Sequence, residues 1–136
     1  MIKRILTYLF LITTPLSSAQ TAGKEVSHFS RITYYTEHGG PVACPRSKIA
    51  VTGITIAAHP DFKIGTRVFI PALKNSPIDD DGIFVVQDRG PAVTSKKASR
   101  GKRYVFDVCI NPKDQRMLKF AQTMTENMDV FILPRE

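Results

Sequence analysis

The sequence lacks several features on which larger enzymes depend. Its 136 residues include no tryptophan and only two cysteines, and no internal repeat or low-complexity linker is visible. This length provides for one domain, which excludes a Rossmann enzyme with a separate substrate domain, a complete TIM barrel and a repeat array. With 43% hydrophobic and 23% charged residues, the composition is also not that of a disordered chain.

The apolar run near the amino terminus is too short to cross a membrane. Residues 5–16 would span about 18 Å as a helix, against a hydrocarbon core of about 30 Å. The run follows Lys3 and Arg4, and the small residues of a signal-peptidase site end at Ala19. We therefore predict that residues 1–19 are a cleaved signal peptide and not a retained anchor. The mature protein is expected to be exported, as a monomer without membrane insertion, to the periplasm, the outer membrane or wall, or the medium.

Acidic residues are the minority. The chain has 19 Lys and Arg against 12 Asp and Glu, a formal net charge of +7. Without the predicted signal peptide, 17 basic residues remain against 12 acidic ones, a net charge of +5. This charge favours an anionic partner such as nucleic acid, a membrane surface or an anionic cell-wall polymer. Because the chain is predicted to be exported and has no recognised nucleic-acid motif, we expect no nucleic-acid partner.

Cysteine and histidine are too few to indicate a metal site. Cys44 and Cys109 lie 65 residues apart, and in an oxidising compartment they are equally compatible with a disulfide and with two buried thiols. A second cysteine pair is missing, so a CxxC zinc or redox site has no support. The spacings of His28, His38 and His59 match no common ligand pattern. We expect no metal and no cofactor.

The rest of the pattern predicts short strands. Residues 20–30 are expected to form a flexible lead, followed by a domain at 31–136. Runs rich in β-branched, aromatic and other apolar residues predict six strands, at 29–36, 49–57, 66–70, 82–87, 103–110 and 128–133. Six short strands with one late helix predict a compact, mainly β barrel.

One helix is predicted at about 112–124. Asn111 is the candidate N-cap, Pro112 suits the first helical position, and Asp114 stands where a capping-box acid belongs. Apolar residues then recur at helical spacing and predict a core-facing stripe that contains Met117, Phe120 and Met124.

Three polar residues stand in or beside apolar runs. His59 follows Ala-Ala at a strand end, Asp88 ends an apolar strand, and Asp107 lies within another. A buried unpaired carboxylate costs several kcal/mol, so Asp107 must be partnered, protonated or facing a groove. One interpretation pairs it with Arg89 or Arg103. The other brings Asp88 and Asp107 into one cleft, where desolvation and proximity raise one pKa and give the general acid that glycosidic cleavage needs.

Longer segments resemble two families that act on peptidoglycan. The segment His59-Pro-Asp-Phe-Lys-Ile-Gly-Thr-Arg-Val68 resembles part of the rare lipoprotein A family, and Gln87-Asp-Arg-Gly-Pro91 is similar to that family's Asp-Arg-Gly-Pro turn. Thr33-Tyr-Tyr35 resembles its opening strand. The tail, 106–110 with the helix and 128–133, is more similar to the three-aspartate domain shared with membrane-bound lytic transglycosylase A. The resemblance covers about 31–133 and implies a six-stranded double-psi β-barrel with a short helix near the C-terminus.

The same resemblance implies a lytic transglycosylase whose partner is the peptidoglycan glycan strand. One acid, Asp88 or Asp107, would protonate the oxygen between N-acetylmuramic acid and N-acetylglucosamine, and the muramoyl 6-hydroxyl would attack to give a 1,6-anhydro product. The second carboxylate would stabilise oxocarbenium character, with His59 as an orienting partner. The implied substrate-binding residues are Tyr34, Tyr35, Arg89, Gly90, Lys97 and Arg103.

Two departures leave a second function open. His59 stands where a three-aspartate domain has its first acid, and the basic stretch 94–102, expected to be an exposed loop or hairpin tip, lengthens the segment between Asp88 and Asp107. The alternative is a non-catalytic wall-binding barrel like that of expansins. In that case anionic polymers would be gripped by Lys96, Lys97, Arg100, Lys102 and Arg103.

Overall fold

A computed structural model describes residues 26–36, 42–43, 50–124 and 126–135. The predicted signal peptide and Cys44 lie outside these ranges. Within them, no helix combines the length and apolar character needed to cross a membrane. The six strands are β1 (Val26–Thr36), β2 (Thr55–Ala57), β3 (Arg67–Phe69), β4 (Ile83–Asp88), β5 (Val105–Ile110) and β6 (Asn127–Ile132). The α-helical segments are α1 (Pro91–Thr94) and α2 (Gln115–Thr123), and short 3₁₀ turns lie at Pro71–Leu73 and Lys97–Ser99.

The six strands close into a barrel in the order β1-β5-β2-β4-β3-β6, with β6 pairing back to β1. The pairs β1–β5 and β2–β4 are parallel, and the other four pairs are antiparallel. Exchanging the first three strands with the last three leaves this order unchanged and exchanges the two parallel pairs, so the two halves of the chain follow the same pairing scheme. The predicted fold class, a mainly β six-stranded barrel with one short C-terminal helix, is confirmed.

Side-chain alternation along the strands separates an inner from an outer barrel face. Ile32 on β1 and Phe106 and Val108 on β5 point inward, where they join the main core with Ile56 and Val86. The residues between them point outward. This outer face carries the functional candidates, and part of it is covered by a second, smaller cluster of Ala57, Val93 and Val105 with Tyr35 packed against it.

Two strand boundaries differ from the sequence prediction. β1 begins at Val26, so residues 26–30, which we predicted in a flexible lead, pair with β6 instead. β2 begins at Thr55 and not at 49, because a turn precedes it. In that turn the backbone N–H groups of Ile54 and Thr55 donate to the carbonyl of Val51, and Gly53 takes a φ of +76°, which favours glycine.

The helix boundary was also predicted wrongly. Asp114 is the N-cap of α2, because its carboxylate accepts hydrogen bonds from the backbone N–H groups of Arg116 and Met117. Asn111 caps a turn before the helix by accepting from the N–H of Lys113. The predicted apolar stripe is confirmed, since the partly buried side chains that pack against the core include Met117, Phe120 and Met124.

The basic stretch folds back onto the barrel. In place of the predicted loop or hairpin tip, it follows directly on α1 and contains the turn Lys97–Ser99, and both α1 and this turn contact β5. Val93, 1% exposed, anchors α1 in the outer cluster beside Ala57 and Val105. The segment 91–103, an insertion only by comparison with the families that the sequence resembles, therefore lies directly against the strand that carries Asp107.

Candidate active site

Asp88 and Asp107 lie in one row across the outer face of four adjacent strands. Ala57 pairs with Asp88 on one side and with Asp107 on the other, and Asp107 pairs with Thr33. Two strand spacings place the Cα atoms of the two aspartates about 10 Å apart. Ala57, the residue between them, is buried in the outer cluster with Val93, and Tyr35 packs against this cluster.

A β-bulge is what turns Asp88 to this face. The register between β2 and β4 shifts after Ile56, which pairs with Val86, so that Ala57 pairs with Asp88 and not with Gln87. Strict alternation from the core residue Val86 would have turned Asp88 inward, whereas a bulge adds one residue and reverses the side-chain direction. The sequence did not reveal this bulge.

Asp107 is held by a neutral hydrogen bond and not by a cation. The hydroxyl of Thr33 donates to its Oδ1 at 2.9 Å. Among the described residues no arginine or lysine forms an ion pair with it, so the predicted alternative of a salt bridge to Arg89 or Arg103 is wrong. Burial, together with the negative charge of Asp88 and against the Thr33 hydrogen bond, raises the pKa of Asp107 from 3.8 to about 6.

Asp88 has the opposite environment. Both of its oxygens accept hydrogen bonds, Oδ2 from the Tyr35 hydroxyl at 3.0 Å and Oδ1 from the backbone N–H of Arg89 at 2.8 Å. Each oxygen of Asp88 is therefore held by a donor. Burial and the neighbouring charge of Asp88 raise the pKa of Tyr35, so the phenol stays protonated and remains a donor. One row thus combines a carboxyl with a raised pKa and a carboxylate held by donors.

Arg89 organises the segment that follows β2. Its Nη1 donates to the carbonyls of Ala58 at 2.9 Å and His59 at 3.0 Å, and its Nη2 donates to the carbonyl of Phe62 at 2.5 Å. Burial lowers the pKa of Arg89. With both terminal nitrogens engaged by backbone, Arg89 is a positioning residue, and the substrate-binding role that the resemblance implied for it does not fit the structure.

His59 lies beside the carboxylate row but is not hydrogen-bonded to it. Its Nδ1 accepts from the backbone N–H of Asp61 at 3.0 Å and lies 3.4 Å from the Asp61 carboxylate. Within the described ranges no hydrogen bond joins His59 to Asp88 or Asp107. The connection runs through Arg89, which follows Asp88 in sequence and binds the His59 carbonyl.

An aromatic cluster, which sequence reasoning missed, surrounds His59 where β2 ends and β5 begins. Tyr104 is its centre, with ring centroids 4.7 Å from Phe62, 5.4 Å from His28 and 5.5 Å from His59. The Tyr104 hydroxyl donates to Asp61 at 2.6 Å, and this hydrogen bond lowers the pKa of Asp61. In the sequence, Tyr104 lies within the predicted strand 103–110, and nothing there marks it as the centre of a cluster.

Tyr34 does not join the row, although the sequence grouped it with Tyr35. Adjacent residues of a strand point to opposite faces, and Tyr34 packs against the core with its hydroxyl donating to the carbonyl of Met124 at 3.2 Å. Burial, with a smaller contribution from Glu126, raises its pKa to about 12. Its predicted substrate-binding role is therefore not supported by its position.

The other predicted residues lie around the row. Gly90 has extended backbone that any residue adopts, and a Cβ atom there would meet nothing within 4 Å, so open space adjoins Asp88. Lys97 and Arg103 are exposed, and the Arg103 guanidinium lies 5.0 Å from the centre of the Phe29 ring. Cys109 is buried on β5, while the disulfide prediction involves Cys44, outside the described residues.

Two further observations concern a cavity outside the site and the possibility of a metal centre. A cavity of about 300 Å³ beside β6 and the turn Pro71–Leu73 is lined by none of the predicted site residues. In the described part of the chain no three His, Cys, Asp or Glu side chains come together as metal ligands would. No family model, curated protein or solved structure matches the chain.

Proposed function

We propose that this protein is an exported lytic transglycosylase that cleaves peptidoglycan glycan strands between N-acetylmuramic acid and N-acetylglucosamine. The observation that carries the proposal is the Asp107 carboxyl, which has no cationic partner among the described residues and whose pKa burial raises to about 6. A structural aspartate in a strand would be expected to lower its cost with an ion pair. A general acid needs the environment that Asp107 has.

Asp107 supplies the proton and then takes one back. Its protonated carboxyl donates to the glycosidic oxygen as the bond to the muramoyl C1 breaks, and the freed sugar leaves with that proton. The resulting Asp107 carboxylate accepts the proton of the muramoyl 6-hydroxyl, whose oxygen bonds to C1. This closes the 1,6-anhydro ring and returns Asp107 to its starting state. The reaction consumes no water and involves no oxidation or reduction.

Asp88 stabilises the positive charge that develops between these two steps. Its carboxylate lies on the same barrel face, two strands from Asp107, and is oriented by the Tyr35 hydroxyl and the Arg89 N–H. A negative group fixed before the reaction stabilises an oxocarbenium-like transition state without the cost of reorganising solvent. Tyr35 therefore acts by positioning Asp88.

The end of the row next to Gly90 is open to a ligand. Ala57, between the two carboxylates, is covered by the outer cluster, whereas a Cβ atom at Gly90 would meet nothing within 4 Å. His59 acts only indirectly. Its backbone carbonyl accepts a hydrogen bond from Arg89, the residue before Gly90. The resemblance of the Asp-Arg-Gly-Pro turn and of the Asp107 strand to families that act on peptidoglycan supports the same substrate.

The test is digestion of purified peptidoglycan sacculi, with the soluble products identified by mass spectrometry. We expect 1,6-anhydro muropeptides from the wild-type protein and a rate 10²–10⁴ lower for Asp107→Asn, which keeps the shape and the Thr33 acceptor but removes the ionisable proton. Asp80→Asn, an exposed carboxyl in the β3–β4 loop, is the matched control and should release the same products as wild type.

A different outcome would favour the wall-binding alternative. If the wild-type protein sediments with sacculi but releases no soluble fragments, the acidic row serves binding, as in an expansin-like barrel. Equal product release by wild type and Asp107→Asn would refute Asp107 as the acid.

A further inference from the structure

The charged side chains of the insertion between Gly90 and β5 are all positive. Residues 91–103 contain five basic residues and no acidic one. Lys96 is held with its Nζ 4.5 Å above the centre of the Tyr104 ring. The other four basic side chains belong to exposed residues, namely Lys97, Arg100, Lys102 and Arg103.

The backbone of the insertion is fixed. The Ser99 hydroxyl donates to the carbonyl of Arg103 at 2.5 Å and accepts from its N–H at 3.1 Å. At the other end, Val93 is buried against the barrel. The charged groups are therefore presented on a folded frame, which lowers the conformational entropy lost on binding a ligand.

Two of the basic residues occupy positions at which glycine would be more stable. Lys96 and Arg100 have φ values of 54° and 55°, in the left-handed region that costs free energy for side chains other than glycine and asparagine. Gly101, the next residue, also has positive φ. Glycine takes this conformation without the cost, so the backbone conformation does not account for a basic residue at either position.

The position of the insertion connects it to the proposed active site. It begins after Gly90, beside Asp88, and contacts both β5, which carries Asp107, and β1, which carries Thr33. A polymer bound at Asp88 and Asp107 would therefore lie next to the insertion. The insertion contains no aromatic residue on which nucleic-acid bases could stack.

From these observations, and resting on the proposed function, we infer that the insertion is a subsite for the carboxylate groups of the stem peptides carried by the glycan strand. It would make the enzyme select peptide-bearing glycan over glycan stripped of its peptides. Exposed ion pairs with a ligand are individually weak and sensitive to salt, so the selectivity should fall as ionic strength rises.

The experiment compares two double variants on two substrates. Arg100→Gly with Lys102→Ser removes two charges from the insertion and relieves the strain at Arg100, so folding should not suffer. Arg116→Ser with Lys119→Ser removes two charges from the exposed face of α2 and is the matched control. For each protein we would measure kcat/KM on intact sacculi and on glycan strands freed of peptides by an amidase, and sedimentation with both.

We expect wild type and the α2 variant to prefer peptide-bearing glycan equally, and the insertion variant to lose about three- to tenfold of that preference through KM. Equal preference in all three proteins would overturn the subsite. So would insertion-dependent binding to DNA or to anionic phospholipid vesicles that exceeds binding to sacculi. If no protein releases product, the proposed function fails, and sedimentation still decides the subsite: loss of peptide-dependent binding in the insertion variant alone supports it.

Discussion

Two residues of the same type differ here because of their neighbours. Asp107 has one neutral donor and is half-buried, whereas Asp88 has a donor on each oxygen. The sequence identified both as candidates, because a carboxylate in or at the end of an apolar strand must be partnered, protonated or facing a groove. It did not reveal that Asp107 is the one with the raised pKa, since its burial and the positions of Thr33 and Tyr35 arise only through strand pairing.

Asp107→Asn should stabilise the protein at high pH. In the unfolded chain Asp107 ionises near 3.8 and in the folded protein near 6, so the folded state binds more protons between these values. The free energy of unfolding therefore falls as pH rises from about 4 to about 6 and loses at most about 3 kcal/mol. We expect denaturant unfolding of the variant and of wild type to agree near pH 4, and the variant to be more stable at pH 8. Lower stability of the variant at pH 8 would contradict this account.

The activity should follow the protonation of the same group. With Asp107 as the acid, kcat/KM is expected to fall tenfold per pH unit above about pH 6. Initial rates of soluble product release between pH 4.5 and 8, at constant ionic strength, would measure this profile. A rate that stays constant from pH 6 to pH 8 would assign the proton to another group.

Tyr35→Phe tests the positioning of Asp88. Loss of the hydroxyl removes one of its two hydrogen bonds, and we expect kcat to fall about tenfold with little change in KM. Tyr34→Phe makes the same chemical change on the opposite face of β1 and should affect thermal stability more than kcat. Equal losses of kcat in both variants would restore the sequence-based grouping of the two tyrosines.

At the scale of elements, the positioning of the segment after β2 depends on one side chain from β4. The Asp-Arg-Gly-Pro motif was recognisable in the sequence, but its arginine was expected to bind substrate. A planar guanidinium satisfies three backbone carbonyls that no regular element pairs, which is a requirement visible only in the folded chain. The helix shows the same limit, because Asp114 and Asn111 are both favourable N-cap residues and the sequence does not decide between them.

Replacement of Arg89 should therefore cost stability before it affects binding. Neither Arg89→Lys nor Arg89→Ala can supply the forked donors, and we expect each to lower the free energy of unfolding by about 2–3 kcal/mol. Arg116→Lys, at an exposed position of α2, is the matched control and should change it by less than about 0.5 kcal/mol. Full stability of Arg89→Lys together with a raised KM would show that Arg89 binds substrate after all.

At the scale of the whole molecule, the sequence predicted the barrel because alternating apolar runs of even spacing leave few other architectures for a chain of this size. The site could be predicted only in part. Asp88 and Asp107 were placed on one face correctly, but the bulge before Asp88 and the packing of the insertion against β5 depend on contacts between residues far apart in sequence. His59 was placed close to the row, yet its hydrogen bonds belong to a neighbouring cluster.

The most direct test of the central claim is digestion of sacculi in water enriched in oxygen-18, with mass spectrometry of the products. If Asp107 returns a proton from the muramoyl 6-hydroxyl, the new ends are 1,6-anhydro sugars that contain no oxygen from solvent, and Asp107→Asn forms them 10²–10⁴ times more slowly. Reducing ends labelled with oxygen-18 would show hydrolysis and contradict the proposed reaction.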